Sequence, residues 1–203
     1  MSEVIEQAVA ALGAGRPVVL PTDTVYGLCA DPERPEPARS VSSLKGRDEL
    51  QPIALLARDL DYLLECIPEL RGGTEAILRA LLPGPYTLVV PNPARRYRWL
   101  GGANPEAIGI RVPESPRTTA AVLDRVGAVA ATSANVHGGR DPRRVEEVPD
   151  EIRSACGAVV DAGDLPGIPS TVLDLSSAEP RVLREGAAPA AEALERVSAV
   201  AVP

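Results

Sequence analysis

The chain contains no phenylalanine, a single tryptophan and four tyrosines, so Val, Leu, Ile and Ala must fill whatever core its 45% apolar residues build. Its three cysteines, Cys29, Cys66 and Cys156, are odd in number and widely spaced, with no CxxC pair. That pattern argues against a disulfide framework and a zinc site and favours a reducing compartment. The one histidine, His137, lies in a glycine-rich turn and reads as a surface residue rather than a base. No apolar run approaches the ~18 residues of a membrane span, and Met1 to Glu6 lack the basic and apolar regions of a signal peptide. A soluble, cytoplasmic protein is expected. Acidic residues outnumber basic ones, 28 to 21, for a net charge of −7. Such a chain is poorly suited to gripping nucleic acid along a broad phosphate surface, but a local basic pocket for one nucleotide is open to it. The P-loop, the GxGxxG dinucleotide fingerprint and the GxSxG hydrolase elbow are all missing.

What is present is an alternation of strands and helices. Val4, Ile5, Ala8, Val9 and Leu12 give residues 3–12 a helical apolar face, stopped by Gly13 and Gly15. Val18, Val19 and Leu20 form a buried-strand run that should end at Pro21, which has no N–H for a ladder. Further strands are expected at 52–56, 86–90, 107–112, 128–131, 158–161, 171–175 and 181–184, and helices at 60–64, 73–82, 117–126, 148–155 and 190–199. Residues 34–44 are weakly helical at best, because Pro35 and Pro37 confine a helix start to positions after them. Residues 91–105 read as a long loop. The alternation points to α/β layers around one sheet, and connections too short for crossover helices make that sheet mixed. With no internal repeat or linker, one domain over 1–203 is expected, its core at about 4–195.

Polar side chains gather at the strand ends, where α/β sheets tend to hold ligands. Thr22, Asp23, Thr24 and Tyr26 crowd together after the first strand, though such residues equally make a hydrogen-bonded turn. Lys45 and Arg47, two apart in a segment read as extended, point the same way and suit a phosphate chain; a solvated charged loop is the plainer reading. Thr132, Ser133 and Asn135 leave another strand as hydroxyl, hydroxyl and amide, also compatible with an Asx turn. Ser170 repeats that pattern, and Arg111 and Arg184 stand near strand termini as ligand clamps or surface charges. Together they outline a site for an anionic, polar small molecule.

Seven motifs then occur in order. They are Pro-Thr-Asp-Thr-Val-Tyr-Gly-Leu at 21–28, Lys-x-Arg at 45–47, Leu-Pro-Gly-Pro-Tyr-Thr-Leu at 82–88, Ile-Gly-Ile-Arg-Val-Pro at 108–113, Ala-Thr-Ser-Ala-Asn at 131–135, Ser-Thr-Val-Leu-Asp at 170–174 and Val-Leu-Arg-x-Gly at 182–186. Through them the chain resembles the threonylcarbamoyl-AMP synthase family, the YrdC-type domain in its short form without an appended C-terminal domain. The resemblance implies a three-layer α/β fold with a twisted mixed sheet and a concave active-site cleft. It implies synthesis of threonylcarbamoyl-AMP and pyrophosphate from L-threonine, bicarbonate and ATP, for threonylcarbamoyladenosine modification of tRNA by a downstream transferase complex. Thr24, Arg111 and Ser170 would then hold the amino acid. Lys45, Arg47, Ser133, Asn135 and Arg184 would hold ATP and the carbonate-derived group, with Lys45 and Arg47 as the catalytic pair. Gln51 stands where family members touch the nucleotide. Mg²⁺ is expected with the ATP, with no protein metal ligands assigned, and direct tRNA binding is expected to be weak or absent. The chemistry asks for positioning and charge neutralisation more than for a proton relay.

Four positions depart from the pattern: Asp48 and Glu185 replace prolines, His137 a serine, and Asp141 a small polar residue. The acids would either turn outward or weaken nucleotide binding. Two rival readings stand beside the main one. The chain could be a paralogue that makes another carbamoyl- or acyl-adenylate. It could instead be a non-catalytic RNA-binding protein, for which Arg95-Arg96-Tyr97-Arg98-Trp99 offers basic and stacking groups. In the enzyme reading, that same loop could cover the site during reaction.

Overall fold

The apolar run at 18–20 forms β1 (Val18–Pro21), and it ends at the proline as expected. Pro21 pairs with Tyr26 at the neck of a hairpin that leads directly into β2 (Tyr26–Ala30). The computed structural model describes residues 2–177 and 179–201. Its remaining strands are β3 (Ala54–Ala57), β4 (Tyr86–Pro91), β5 (Ala107–Arg111), β6 (Ala128–Ser133), β7 (Ala158–Val159), β8 (Thr171–Asp174) and β9 (Arg181–Arg184). All nine join one twisted sheet in the order β7-β1-β2-β6-β3-β5-β4-β8-β9. The pairs β1–β7, β3–β5 and β4–β8 run parallel and the others antiparallel, so the sheet is mixed.

Side chains alternate across this sheet, and each face packs its own helices. Val18, Leu20, Cys29, Leu56 and Val129 point to one face, where they meet α1 (Ser2–Gly13) and α5 (Arg117–Val126). Val19, Leu28, Ala30, Leu55 and Ala130 point to the other. That second face carries the larger core, built with α2 (Pro35–Leu44), α3 (Leu60–Cys66), α4 (Gly73–Leu81), α6 (Asp150–Ala155) and α7 (Ala190–Ala201). The result is the expected three-layer arrangement. Helices α1 and α5 cover the face only toward the β1–β2 end. Over β5, β4 and β8 the same face is bare, and there it curves into a cleft.

Two expectations need correction. Helix α2 begins at Pro35 rather than after the prolines. Pro35 and Pro37 both fall in its first turn, where backbone N–H groups have no intrahelical acceptor, so the missing donors cost nothing and the fixed φ favours the start. The long loop at 91–105 is also no free lid. Its Trp99 Nε1 donates to the Pro32 carbonyl at 3.0 Å, Tyr97 OH to Glu33 at 3.1 Å, and Arg96 grips Glu69 at 2.8 Å. Leu100 is fully buried and its carbonyl accepts from Ile53 N. Among the described residues, no helix is long and apolar enough to cross a membrane.

Candidate active site

The cleft encloses about 430 Å³. Its floor follows from the alternation along the strands: in β5, Ile108 and Ile110 fill the large core while Ala107, Gly109 and Arg111 face the cleft. In β4, Leu88 and Val90 likewise point inward, and Thr87 and Val89 face the cleft. Gly27, Ala54 and Ala131 complete a floor of small residues that leaves room for a ligand. Five of the residues given a ligand role from the sequence line this space together: Arg47, Arg111, Ser133, Ser170 and Arg184. Lys45, Thr24 and Asn135 are buried just behind the wall and act on it through hydrogen bonds. Gln51 does not line it, its N–H being drawn into a turn by the Asp48 carbonyl at 3.0 Å.

One end of the cleft is built on the hairpin between β1 and β2. Arg111, the last residue of β5, donates through Nη2 to Asp23 Oδ1 at 2.8 Å and to Thr24 Oγ1 at 3.2 Å. The Thr24 hydroxyl is held in turn by Thr22 Oγ1 at 2.9 Å, and Thr22 itself lines the cleft. Arg111 Nε and Asp23 Oδ2 are both buried without a hydrogen-bond partner. Burial pushes the Asp23 carboxyl up, and the Arg111 guanidinium draws it back toward ionisation. Across the cleft, Ser170 Oγ bonds Thr87 Oγ1 at 2.7 Å, while Arg184 clasps the Ser170 carbonyl at 2.8 Å.

The other end gathers Lys45, Arg47 and the strand end of β6. The expected extended Lys-x-Arg segment is not what forms. Lys45 closes α2 in a helical conformation, and Gly46 at φ +60° turns the chain, so the two side chains leave on different paths. Lys45 Nζ donates to the Ser133 carbonyl at 2.5 Å, and to the Asn135 carbonyl and Oδ1 at 2.7 Å each. Burial and the neighbouring Arg47 lower its pKa to about 8, with Asp141 pulling it up. Three acceptor oxygens favour the ammonium form and keep it a cation near neutrality. Arg47 donates to Thr132 Oγ1 at 3.1 Å and to the Pro52 carbonyl at 2.5 Å, and its Nε is buried without a partner. Asn135 serves as the hub of this corner, accepting from Ser133 Oγ at 2.7 Å and donating to the Gly139 carbonyl at 2.5 Å.

The four departures separate cleanly. Asp48 caps Leu50 N at 2.9 Å and Glu185 accepts from Ala190 N at 2.9 Å at the start of α7, so both acids are spent on the backbone. His137 is exposed. Asp141 alone of the four lines the cleft. The basic stretch at 95–99 does not line it; Gly101, Asn104 and Ala107, just beyond, do. Among the described residues no group of three His, Cys, Asp or Glu side chains is placed to hold a metal ion.

The Sua5/YciO/YrdC family model, described as telomere recombination, matches residues 10–186. This chain belongs to that family. Within it, the chain is 34% identical over 183 residues to the human threonylcarbamoyl-AMP synthase, covering 86% of this chain and 64% of the human one. A Mycobacterium tuberculosis protein that carries the same name provisionally is 33% identical over 186 residues, covering 91% of this chain and 85% of that protein. The structure of P. abyssi Sua5 complexed with L-threonine superposes with a TM-score of 0.85 at 28% identity, covering 95% of this chain and 56% of that one. The Sua5/YciO/YrdC chain described here thus spans little more than half of that Sua5 protein. Thr22, Asp23 and Thr132 were singled out at the strand ends without a ligand role, and Thr87 was not singled out at all. Thr87 was legible in the alternation of β4; Thr132 and Asp23 matter through partners far away in the chain.

Proposed function

We propose that the chain is an L-threonylcarbamoyladenylate synthase, a nucleotidyltransferase that uses L-threonine, bicarbonate and ATP. The observation that carries this reading is a single cleft with two chemically distinct ends: a paired arginine with hydroxyls at the hairpin, and unpaired cations at the end of β6. In this reading Arg111, Thr24 and Ser170 hold the amino acid. Lys45, Arg47, Ser133, Asn135 and Arg184 hold the polyphosphate and the carbonate-derived group. Lys45 does so partly by fixing the loop that carries Ser133 and Asn135. Gln51 is left without a role.

The amine of threonine bonds to the bicarbonate carbon, with loss of water, to give a carbamate. A carbamate oxygen then bonds to the α-phosphorus as the α–β bridging bond breaks, and pyrophosphate leaves with the electron pair. Negative charge grows on the leaving oxygens, which the Arg47 guanidinium and Lys45 ammonium are placed to stabilise without rearrangement. Holding both reactants in one cleft supplies the rest. Mg²⁺ belongs to the substrate here, arriving on the ATP phosphates and keeping its waters, as that ion prefers.

A single domain over 1–203, a cytoplasmic site of action and hand-over of the adenylate to a tRNA-modifying transferase are part of the same proposal. The test is pyrophosphate release from ATP and bicarbonate with L-threonine, with L-serine, or with neither. Threonine-dependent release is the expected result. Equal release with serine would favour the paralogue reading, and none with any amino acid would overturn the synthase.

A further inference from the structure

Both substrates of the proposed reaction are anionic where they must be held, and one open cleft has to sort them. A phosphate oxygen and an amino-acid carboxylate look alike to a guanidinium. Four cations serve this cleft: Lys45, Arg47, Arg111 and Arg184. Lys45, Arg47 and Arg184 bond neutral oxygens, from carbonyls, hydroxyls and the Asn135 amide. Among the described residues none of those three has a carboxylate within 4.0 Å. Arg111 is different. It forms an ion pair with Asp23 at 2.8 Å, and the two side chains keep only 10% and 9% of their surfaces exposed. Burial of that kind preserves the attraction that water would screen. Glu114 adds a further negative charge beside Asp23.

We propose that Asp23 is a specificity-determining and positioning residue that sorts the two substrates. With Glu114 beside it, Asp23 offsets the charges of Arg111 and of the neighbouring Arg184 and brings the hairpin end of the cleft close to neutral, which suits a zwitterionic amino acid and disfavours a multiply charged phosphate. By fixing Nη2 it also holds the guanidinium against the cleft wall, where the amino-acid carboxylate would meet it. Lys45 and Arg47, unpaired at the other end, then draw the polyphosphate by default. This is selection by refusal as much as by attraction. The inference rests on the synthase reading for its ligands, but the charge arrangement it uses does not.

The test is titration of the parent protein and of Asp23→Asn with inorganic phosphate, followed by calorimetry, with L-threonine and ATP as competitors. The asparagine keeps an acceptor for Nη2 and removes only the charge. In the parent, phosphate should be displaced by ATP and not by threonine. In Asp23→Asn a second phosphate should bind that threonine displaces, and phosphate should raise the apparent KM for threonine at least about tenfold while the KM for ATP stays within about twofold. Asp23→Glu, which restores the charge, should lose the second phosphate again. A folded Asp23→Asn with no added phosphate site overturns the proposal. If the asparagine variant does not fold, phosphate displaced by threonine in the parent, or a second phosphate in Asp23→Glu, overturns it equally. A parent without threonine-dependent turnover would instead sink the synthase reading, and the phosphate titration would still judge Asp23.

Discussion

Lys45 is the residue whose chemistry is most open to measurement. Its pKa, lowered to about 8 chiefly by burial, places the loss of its charge within reach of an ordinary pH profile. Below that value the ammonium is present to meet phosphate; above it the neutral amine is not. The profile of kcat/KM for ATP reports the free enzyme, so it should fall on the alkaline side of about pH 8. Bound phosphates favour the charged form, so the corresponding limb in kcat should lie higher. A kcat/KM for ATP that stays flat through the alkaline range would contradict a charge role for Lys45. Arg47 bears on the same step through a different contact. Arg47→Ala removes a donor aimed at developing charge, and should lower turnover by at least about 100-fold. Circular dichroism should show the fold kept, because Arg47 bonds only the Thr132 hydroxyl and the Pro52 carbonyl. Lys45→Ala is the less clean variant, since Lys45 also ties down the loop at 133–135.

At the scale of elements, β4 and β5 explain both the core and the cleft, because one alternation serves each face. Gly109 is the point where the two meet. A Cβ added there would lie 3.6 Å from the Thr87 methyl and 3.8 Å from the Ala54 Cβ, which is ordinary contact. Gly109→Leu should therefore fold, since the larger side chain points into the cleft and not the core. It should abolish turnover by filling the floor, and unimpaired turnover in the folded variant would show that the ligands bind elsewhere. The segment at 91–105 makes the second element-scale case. Trp99→Ala removes its bond to the Pro32 carbonyl and half-buried packing, so a loss of about 1–3 kcal/mol in denaturant unfolding is expected.

These elements also mark what was legible beforehand. Strand positions followed from apolar periodicity except for β2, whose residues were read as part of a turn or binding loop, and the cleft-facing hydroxyls followed from the strand ends. The helical start at Pro35 was not foreseen, because prolines were treated as breakers rather than as first-turn residues. Nor was the turn at Gly46, where a positive φ undoes the simple two-residue alternation between Lys45 and Arg47. The partnership of Asp23 with Arg111 joins a hairpin turn to the end of a strand far along the chain, and local pattern carries no information about such a pair. Tyr97 and Trp99 looked available for stacking on bases, but their polar atoms are engaged by Glu33 and Pro32.

For the whole molecule, a net charge of −7 is combined with a cleft that concentrates positive charge. The surface repels a polyanion while the cleft admits one small nucleotide. Association with tRNA should therefore be weak and show no steep salt dependence, in contrast to a protein that releases many counterions on binding. The central claim concerns one product, and the most direct measurement is its mass. Incubation with ATP, L-threonine and isotopically labelled bicarbonate, with mass spectrometry of the adenylate formed, reads the amino acid and the added carbon together. The expected result is an adenylate that contains threonine and carries the label. An adenylate without label, or ATP consumed with no threonine-containing adenylate, would contradict the account.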